Sequence, residues 1–283
     1  MLIDVSLIDF LKYLFLGIVQ GIAEILPISS SGHLAVAQHF LSVNYENEAL
    51  FAIFVHFASL LALLIFFREL IIRIIVNFFT YLVSKDVVEK QKAQPDFMLA
   101  IYLVVASIPV AFIGVFFEDL VTTLFGSLLY VGIGFLVTAI TLLLVGQLTK
   151  TRLSASYTFK NTIIAGLFQC IGILPGISRS GITMSGGRIA GLDEVKSKEF
   201  AFLLFIPVAG GSFILSLTDI SSALSSSVNL YLYYGIAMLA AFIFTYLGLL
   251  FIFKKFTIKS YKYFAIYMFI IAAFTITYSL ITL

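Results

Sequence analysis

The chain has 283 residues, of which 61% are hydrophobic and 11% charged, with a mean hydropathy of +1.11. Soluble domains are about 45–50% apolar and about 25% charged, so this composition belongs to an integral membrane protein. A formal charge of +2 is too small for a nucleic-acid partner, and a single cysteine, Cys170, excludes an internal disulfide or a cysteine metal cluster.

The first apolar segment follows Asp4, Asp9 and Lys12 rather than a basic leader, and no small-residue cleavage site comes after it, so it is expected to belong to the fold. Within 10–40 the string GIAEILPISSSGH sets Glu24, Ser29, Ser30, Ser31 and His33 into an otherwise apolar stretch. A spanning helix needs roughly 20 apolar residues. Runs of that kind fall near 49–67, 97–117, 128–148, 200–218, 230–253 and 263–283, which predicts six transmembrane helices. Helices are expected because the runs lack two-residue alternation and a bilayer satisfies no open backbone groups.

The basic residues set the orientation. Arg68, Arg73, Lys85, Lys90 and Lys92 lie in 68–96; Lys150, Arg152 and Lys160 in 149–160; Lys254, Lys255, Lys259 and Lys262 in 254–262. The alternate connections, 118–127 with Glu118 and Asp119 and 219–229 with Asp219, contain no lysine or arginine. The positive-inside rule therefore places the basic set in the cytoplasm. Lys196 and Lys198 put the start of the span at 200–218 there too, so 161–195 leaves the cytoplasm and returns to it. Its central LPGISRSGITMSGG predicts a re-entrant hairpin, which is tolerated at membrane depth only when buried in protein or lining water. The same reasoning makes 10–40 a hairpin entering from the outer face.

A shift of 149 positions lays Gly17 over Gly166, Gln20 over Gln169, Ser29 over Ser178, Ser31 over Ser180 and Gly32 over Gly181. Each half then reads as one hairpin followed by three crossings, and an odd number of crossings inverts the second copy. The expected fold is an all-α polytopic membrane protein, one domain over 1–283, with inverted repeats of about 1–148 and 149–283. Its re-entrant hairpins would meet near the midplane, where such folds bind substrate.

That arrangement sets Glu24, the serines and His33 opposite Ser178, Arg179, Ser180 and Thr183. A charge at the centre of a membrane helix costs about 2.5–3.5 kcal/mol on insertion scales, so Glu24 and Arg179 need a partner or water. Either they pair and merely fix the packing, or they serve function, which is the default for intramembrane charges. Arginine forks onto phosphate, and serine–glycine turns and helix N-termini present N–H groups to anions. A carboxylate and an imidazole can hold a divalent cation or move a proton. His56, inside a span, and His39, near a membrane edge, are read as packing or interface residues; Arg188 is read as an anchor near Lys196.

At these residues the chain resembles the bacterial undecaprenyl-diphosphate phosphatases, the bacitracin-resistance family. The resemblance lies in Gln20-Gly-Ile-Ala-Glu24 running into Pro27, Ser29, Ser30, Gly32 and His33. It lies also in Pro175, Gly176, Ser178, Arg179, Ser180 and Thr183, followed by Ser185-Gly186-Gly187 and by Glu199-Phe200 leading into Pro207. The resemblance implies removal of the terminal phosphate of undecaprenyl diphosphate in the bacterial cell membrane, with the site opening to the extracytoplasmic side. Arg179 would clamp phosphate, helped by Ser29, Ser178, Ser180 and Thr183. Glu24 would act as base or hold a magnesium or calcium ion, and His33 or Ser30 would supply the nucleophile or proton. Where a family member has glutamate, this chain has Gln20, a neutral second ligand for that cation. The expected partners are a polyprenyl diphosphate lipid, the membrane and a second copy in a homodimer. Transport of a lipid phosphate is the alternative, since paired broken helices also build transporters.

Overall fold

The computed structural model describes residues 6–43, 48–148, 153–217 and 228–282. Asp4, Lys150, Arg152, Asp219 and Leu283 lie outside them. The described residues form twelve helices: α1 Leu7–Ile25, α2 Ser30–Leu41, α3 Glu48–Phe66, α4 Arg68–Val83, α5 Val87–Phe116, α6 Glu118–Phe125, α7 Leu128–Gly146, α8 Phe159–Ile171, α9 Arg179–Ile189, α10 Glu194–Leu215, α11 Val228–Lys254 and α12 Ser260–Thr282. Five of them, α5, α7, α10, α11 and α12, are long and apolar enough to cross a membrane, and α3 with α4 makes a sixth candidate bent by 73°. The chain is an all-α polytopic membrane protein.

Two expected connections are helical instead. The basic stretch 68–96 folds into α4 and the first turns of α5, because Leu70, Ile71 and Ile74 form an apolar stripe that packs into the core. Arg73 Nε and Asn77 Nδ2 both donate to Asp96 Oδ2, at 3.1 and 2.6 Å, and tie α4 to α5. Asp86 caps α5 by accepting from Val88 N at 2.8 Å, which moves the start of that helix ten residues ahead of the expected 97. The segment with Glu118 and Asp119 is the first turn of α6 rather than a loop.

The hairpins are α1–α2 and α8–α9. With 12, 13 and 11 residues, α2, α8 and α9 reach about 16–20 Å at 1.5 Å per residue, short of a hydrocarbon core of about 30 Å. They are half-depth helices held by longer neighbours: α1 lies along α11 and α8 along α5, while α3 packs on α11 and α10 on α5. Small residues allow these approaches. Gly17 abuts the Ala237 backbone, and a Cβ on Gly166 would stand 2.7 Å from the Ala106 carbonyl oxygen. The two tips are pressed together through α7. A Cβ on Gly32 would meet Gly176 Cα at 2.9 Å, and one on Gly134 would strike the Pro175 carbonyl.

At the end carrying the basic connections, polar groups lock the helices. Lys198 is buried and donates to the Ile252 and Phe256 carbonyls at the C-terminus of α11, at 3.2 and 2.9 Å, where the helix dipole favours a cation. Tyr157 donates to Glu199 at 2.8 Å, and Lys196 pairs with the same carboxylate at 2.8 Å. Burial and that carboxylate push the Tyr157 phenol well above its ordinary range. Glu199 is thus a structural anchor away from the tips. Arg188, also buried, holds the Leu192 carbonyl at 3.2 Å and closes the end of α9.

Candidate active site

The tips are built alike. Pro27 cannot continue α1, and Ser29 caps α2 by accepting from Gly32 N at 3.3 Å; Ser178 caps α9 by accepting from Gly181 N at 3.1 Å. Beside each cap lies a second hydroxyl, Ser31 Oγ 3.5 Å from Ser29 Oγ and Ser180 Oγ 3.4 Å from Ser178 Oγ. They differ where the chain reverses. In the second tip the left-handed residue is Gly176, at φ 75°. Its counterpart at the 149-residue shift is Pro27, whose ring fixes φ near −65°, so the first tip places its left-handed residue at Ser29, φ 69°. A non-glycine residue in such a region costs of order 1–3 kcal/mol and persists only where its surroundings over-determine it.

Glu24 stands one residue before the end of α1 and is buried among donors. Arg179, the first residue of α9, donates Nη2 to Oε1; Ser30 Oγ donates to Oε2 at 2.6 Å, and Gln20 Nε2 donates to the same oxygen at 2.8 Å. The Arg179 guanidinium sits over the Phe205 ring, its Cζ 3.4 Å from the ring centre, a cation–π contact that helps hold the fork. A cleft of about 700 Å³ opens in front of this pair, lined by Glu24, Ser29, Ser30, Ser31, Ser178, Arg179 and Ser180. The N-termini of α2 and α9 both face it, so two helix dipoles add their positive ends to Arg179. Thr122, Phe125 and Gly126 at the end of α6 line the same space, which places the cleft toward the connection that lacks lysine and arginine.

Three expected or dismissed residues fall elsewhere than the sequence suggests. His33 does not line the cleft: its Nδ1 meets the Ser29 carbonyl at 2.8 Å and its Nε2 meets Tyr267 OH at 2.6 Å, on the side of α2 facing α7 and α12. Thr183 does not line it either. Its hydroxyl is buried between α8 and α9, 2.7 Å from the Arg179 carbonyl and 3.3 Å from Gln169 Oε1. His56, read from sequence as packing, belongs to the site. Its Nδ1 donates to the Ala52 carbonyl at 2.8 Å, and its Nε2 stands 3.5 Å from Glu24 Oε2 at the wall of the cleft. At the 149-residue shift His56 corresponds to Phe205, so both halves use that helical position against a tip. His39 bonds Tyr278 OH at 3.0 Å, away from the site, in keeping with an interface role.

Thr138 was also silent in the sequence. Its hydroxyl oxygen accepts from Ser178 N at 3.0 Å and reaches the Gly176 carbonyl at 3.3 Å, so α7 pins the second tip from behind. As to a cation, no cluster of three or more His, Cys, Asp or Glu side chains exists among the described residues. Magnesium, however, often takes one or two carboxylates together with substrate phosphates and water. Gln20 Oε1 is buried without a partner beside Glu24, and an amide's oxygen and nitrogen are exchangeable by a flip, so these two residues fit such a shared ion.

Fold and site together define a polytopic membrane protein with a cleft between two helical hairpins, lined by a carboxylate, an arginine, an imidazole and the hydroxyls at two helix N-termini. The profile of the family described as "Bacitracin resistance protein BacA" matches residues 13–274. The chain is 38% identical over 268 residues to "Undecaprenyl-diphosphatase 3" of Bacillus anthracis, covering 95% of this chain and 97% of that protein. It is 36% identical to "Undecaprenyl-diphosphatase 1" of Bacillus licheniformis, covering 93% and 97%, and 35% identical to "Undecaprenyl-diphosphatase" of Oceanobacillus iheyensis, covering 94% and 95%. The chain belongs to the BacA family.

Proposed function

We propose that this protein hydrolyses undecaprenyl diphosphate to undecaprenyl phosphate and inorganic phosphate, and that the cleft between the tips is where it does so. The observation that carries this reading is the contact of Ser30 Oγ with Glu24 Oε2, 2.6 Å apart, directly beside an arginine and two helix N-termini. Family membership supports it, since the relatives carry the name of that activity. A site for binding alone would have no use for a hydroxyl aimed at a carboxylate.

In the resting site Arg179 and Glu24 neutralise each other. A diphosphate entering the cleft draws the Arg179 fork onto its own oxygens, and the α2 and α9 N-termini with Ser29, Ser178 and Ser180 bind the rest. Glu24, released from its cation, becomes the better proton acceptor. Ser30 Oγ attacks the terminal phosphorus and its proton passes to Glu24. The bond to the bridging oxygen breaks, and undecaprenyl phosphate leaves as an anion that needs no proton. Once the first proton has been relayed off Glu24, water attacks the phosphoserine and gives a proton to that carboxylate; the phosphorus–Oγ bond breaks, Ser30 Oγ takes a proton back from Glu24, and phosphate is released. His56 Nε2, close to Glu24 Oε2, takes the proton onward and resets the carboxylate. Gln20 and Glu24 would hold a magnesium or calcium ion that, when bound, offsets diphosphate charge.

The same reading places the protein in the bacterial cell membrane with the cleft opening to the extracytoplasmic side. It is supported by the cleft lying toward α6 and by the basic residues of 68–96 and 254–262 gathering on other connections. It also treats 1–148 and 149–283 as inverted repeats, supported by matching caps and matching helix partners in the two halves. The direct test is phosphate release from undecaprenyl diphosphate by purified protein in detergent, with and without a chelator. Multiple turnovers are expected from the wild type, reduced by the chelator. Lipid that binds without releasing phosphate would reject hydrolysis in favour of transport.

A further inference from the structure

His33 has no free nitrogen. A carbonyl can only accept, so Nδ1 carries the proton given to Ser29 O, and Nε2 of the neutral ring is the acceptor of the Tyr267 hydroxyl. Protonation would make both nitrogens donors and leave no lone pair for attack or for proton removal. The ring is also fixed by its neighbours, stacked on Tyr267 at 5.6 Å between centres and tilted against Phe135 at 5.0 Å. The residue it holds is Ser29, the non-glycine left-handed residue of the first tip, two residues after Pro27. Ser29 O also accepts the backbone N–H of His33 at 3.1 Å, so one imidazole and one amide together clamp the carbonyl that immediately precedes Ser30. The second tip keeps only the amide half of this clamp, Ile182 N donating to Ser178 O at 2.8 Å. Its cap residue Ser178 is relaxed at φ −72°, and the residue matching His33 is Ile182.

We propose that Tyr267 of α12 is a positioning residue: through His33 it holds the left-handed Ser29 turn, and that turn delivers Ser30 to Glu24. His33 is then a brace rather than a nucleophile or base. The proposal rests on the reading of Ser30 and Glu24 as the reacting pair, and it makes the outer face of α12, remote in sequence, part of the catalytic geometry.

The experiment uses the full chain, purified in detergent, and reads both turnover and backbone hydrogen exchange. Tyr267→Phe keeps the ring and removes only the hydroxyl. It should lower kcat about tenfold with KM within about twofold of wild type, since a small misplacement of a reacting group is costly while phosphate binding is untouched. His33→Asn keeps an N–H near the Nδ1 position, and should lower kcat about as much, whereas His33→Ala should lower it by a further factor of about ten. In the His33→Asn background Tyr267→Phe should have no added effect, because residues that act through one contact are not additive. Amide exchange in the peptide spanning 26–36 should rise in Tyr267→Phe, with the peptide spanning 175–185 unchanged. His33→Asn as inactive as His33→Ala, an additive double mutant, or unchanged exchange at 26–36 would each overturn the proposal. Absence of phosphate release by the wild type would reject the hydrolase reading instead, and the exchange comparison would still decide the brace.

Discussion

The two hairpin tips use one architecture for two jobs. Both end on a capping serine with a second hydroxyl two residues on, and both are set against a longer helix through a close glycine contact. At the 149-residue shift, however, Glu24 stands over Ile173, Ser30 over Arg179 and His56 over Phe205. The first tip and α3 beside it therefore carry the carboxylate, hydroxyl and imidazole, while the second tip carries the cation and α10 the ring it stacks on. Their backbones differ in the same sense. The second tip reverses at a glycine suited to φ 75°, whereas the first reverses at a serine in φ 69° and needs outside support. The loop with the proposed anion clamp is relaxed, while the loop with the proposed nucleophile holds a serine at positive φ.

Removing the proton acceptor is the sharpest way to separate the two jobs. Glu24→Gln should reduce phosphate release by about 10³-fold or more, because a general base contributes about 10²–10⁴. Lipid diphosphate should still raise the melting temperature of that variant, since Arg179 and both helix N-termini remain. Arg179→Lys comes next. It keeps the charge but loses the fork and the guanidinium contact with Phe205, so kcat/KM should fall by about 10², mostly through KM. Normal turnover in a folded Arg179→Lys protein would show that the second tip is not the clamp.

His56→Ala should have an intermediate effect, about tenfold in kcat with KM nearly unchanged, measured by the same phosphate assay. An unchanged kcat would return His56 to the packing role first read from its sequence. The smallest effect belongs to Thr183→Val. With its hydroxyl bonded to the Arg179 carbonyl and Gln169 in the α8–α9 interface, Thr183 is a packing residue, and KM should stay within about twofold while the melting temperature falls by a few degrees. A large rise in KM would reinstate it as a phosphate ligand.

The spans and both tips were legible because they rest on local signals: apolar runs, proline and glycine at reversals, and charges where charges are costly. The resemblance to the family rests on the same strings. What was not legible depends on the approach of distant elements. A histidine inside an apolar helix looks like His56 whether or not α3 brings it to Glu24, and only the 149-residue shift that sets it over Phe205 offered a signal. His33 misled for a related reason. Three residues after Ser30 it lies on a neighbouring helical position, yet the ring turns back to its own first turn and to Tyr267, 234 residues away. Thr183 shows the same bias, as its motif spacing said nothing of the hydrogen bond to the carbonyl one turn back. The helix α4 was hidden under five basic residues, of which Arg68 and Arg73 lie beside its apolar stripe, Lys85 in the connection after it and Lys90 and Lys92 in α5.

Both tips are proposed to form one diphosphate site reached from outside the cell. Ser30→Cys in a Cys170→Ser background tests it most directly, using a membrane-impermeant thiol reagent on intact cells. Ser30 is half-buried and lines the cleft, so the introduced thiol should be labelled from outside, and a prenyl diphosphate should slow labelling at least severalfold. Labelling confined to inside-out vesicles, or labelling from outside that the diphosphate leaves unchanged, would contradict the account.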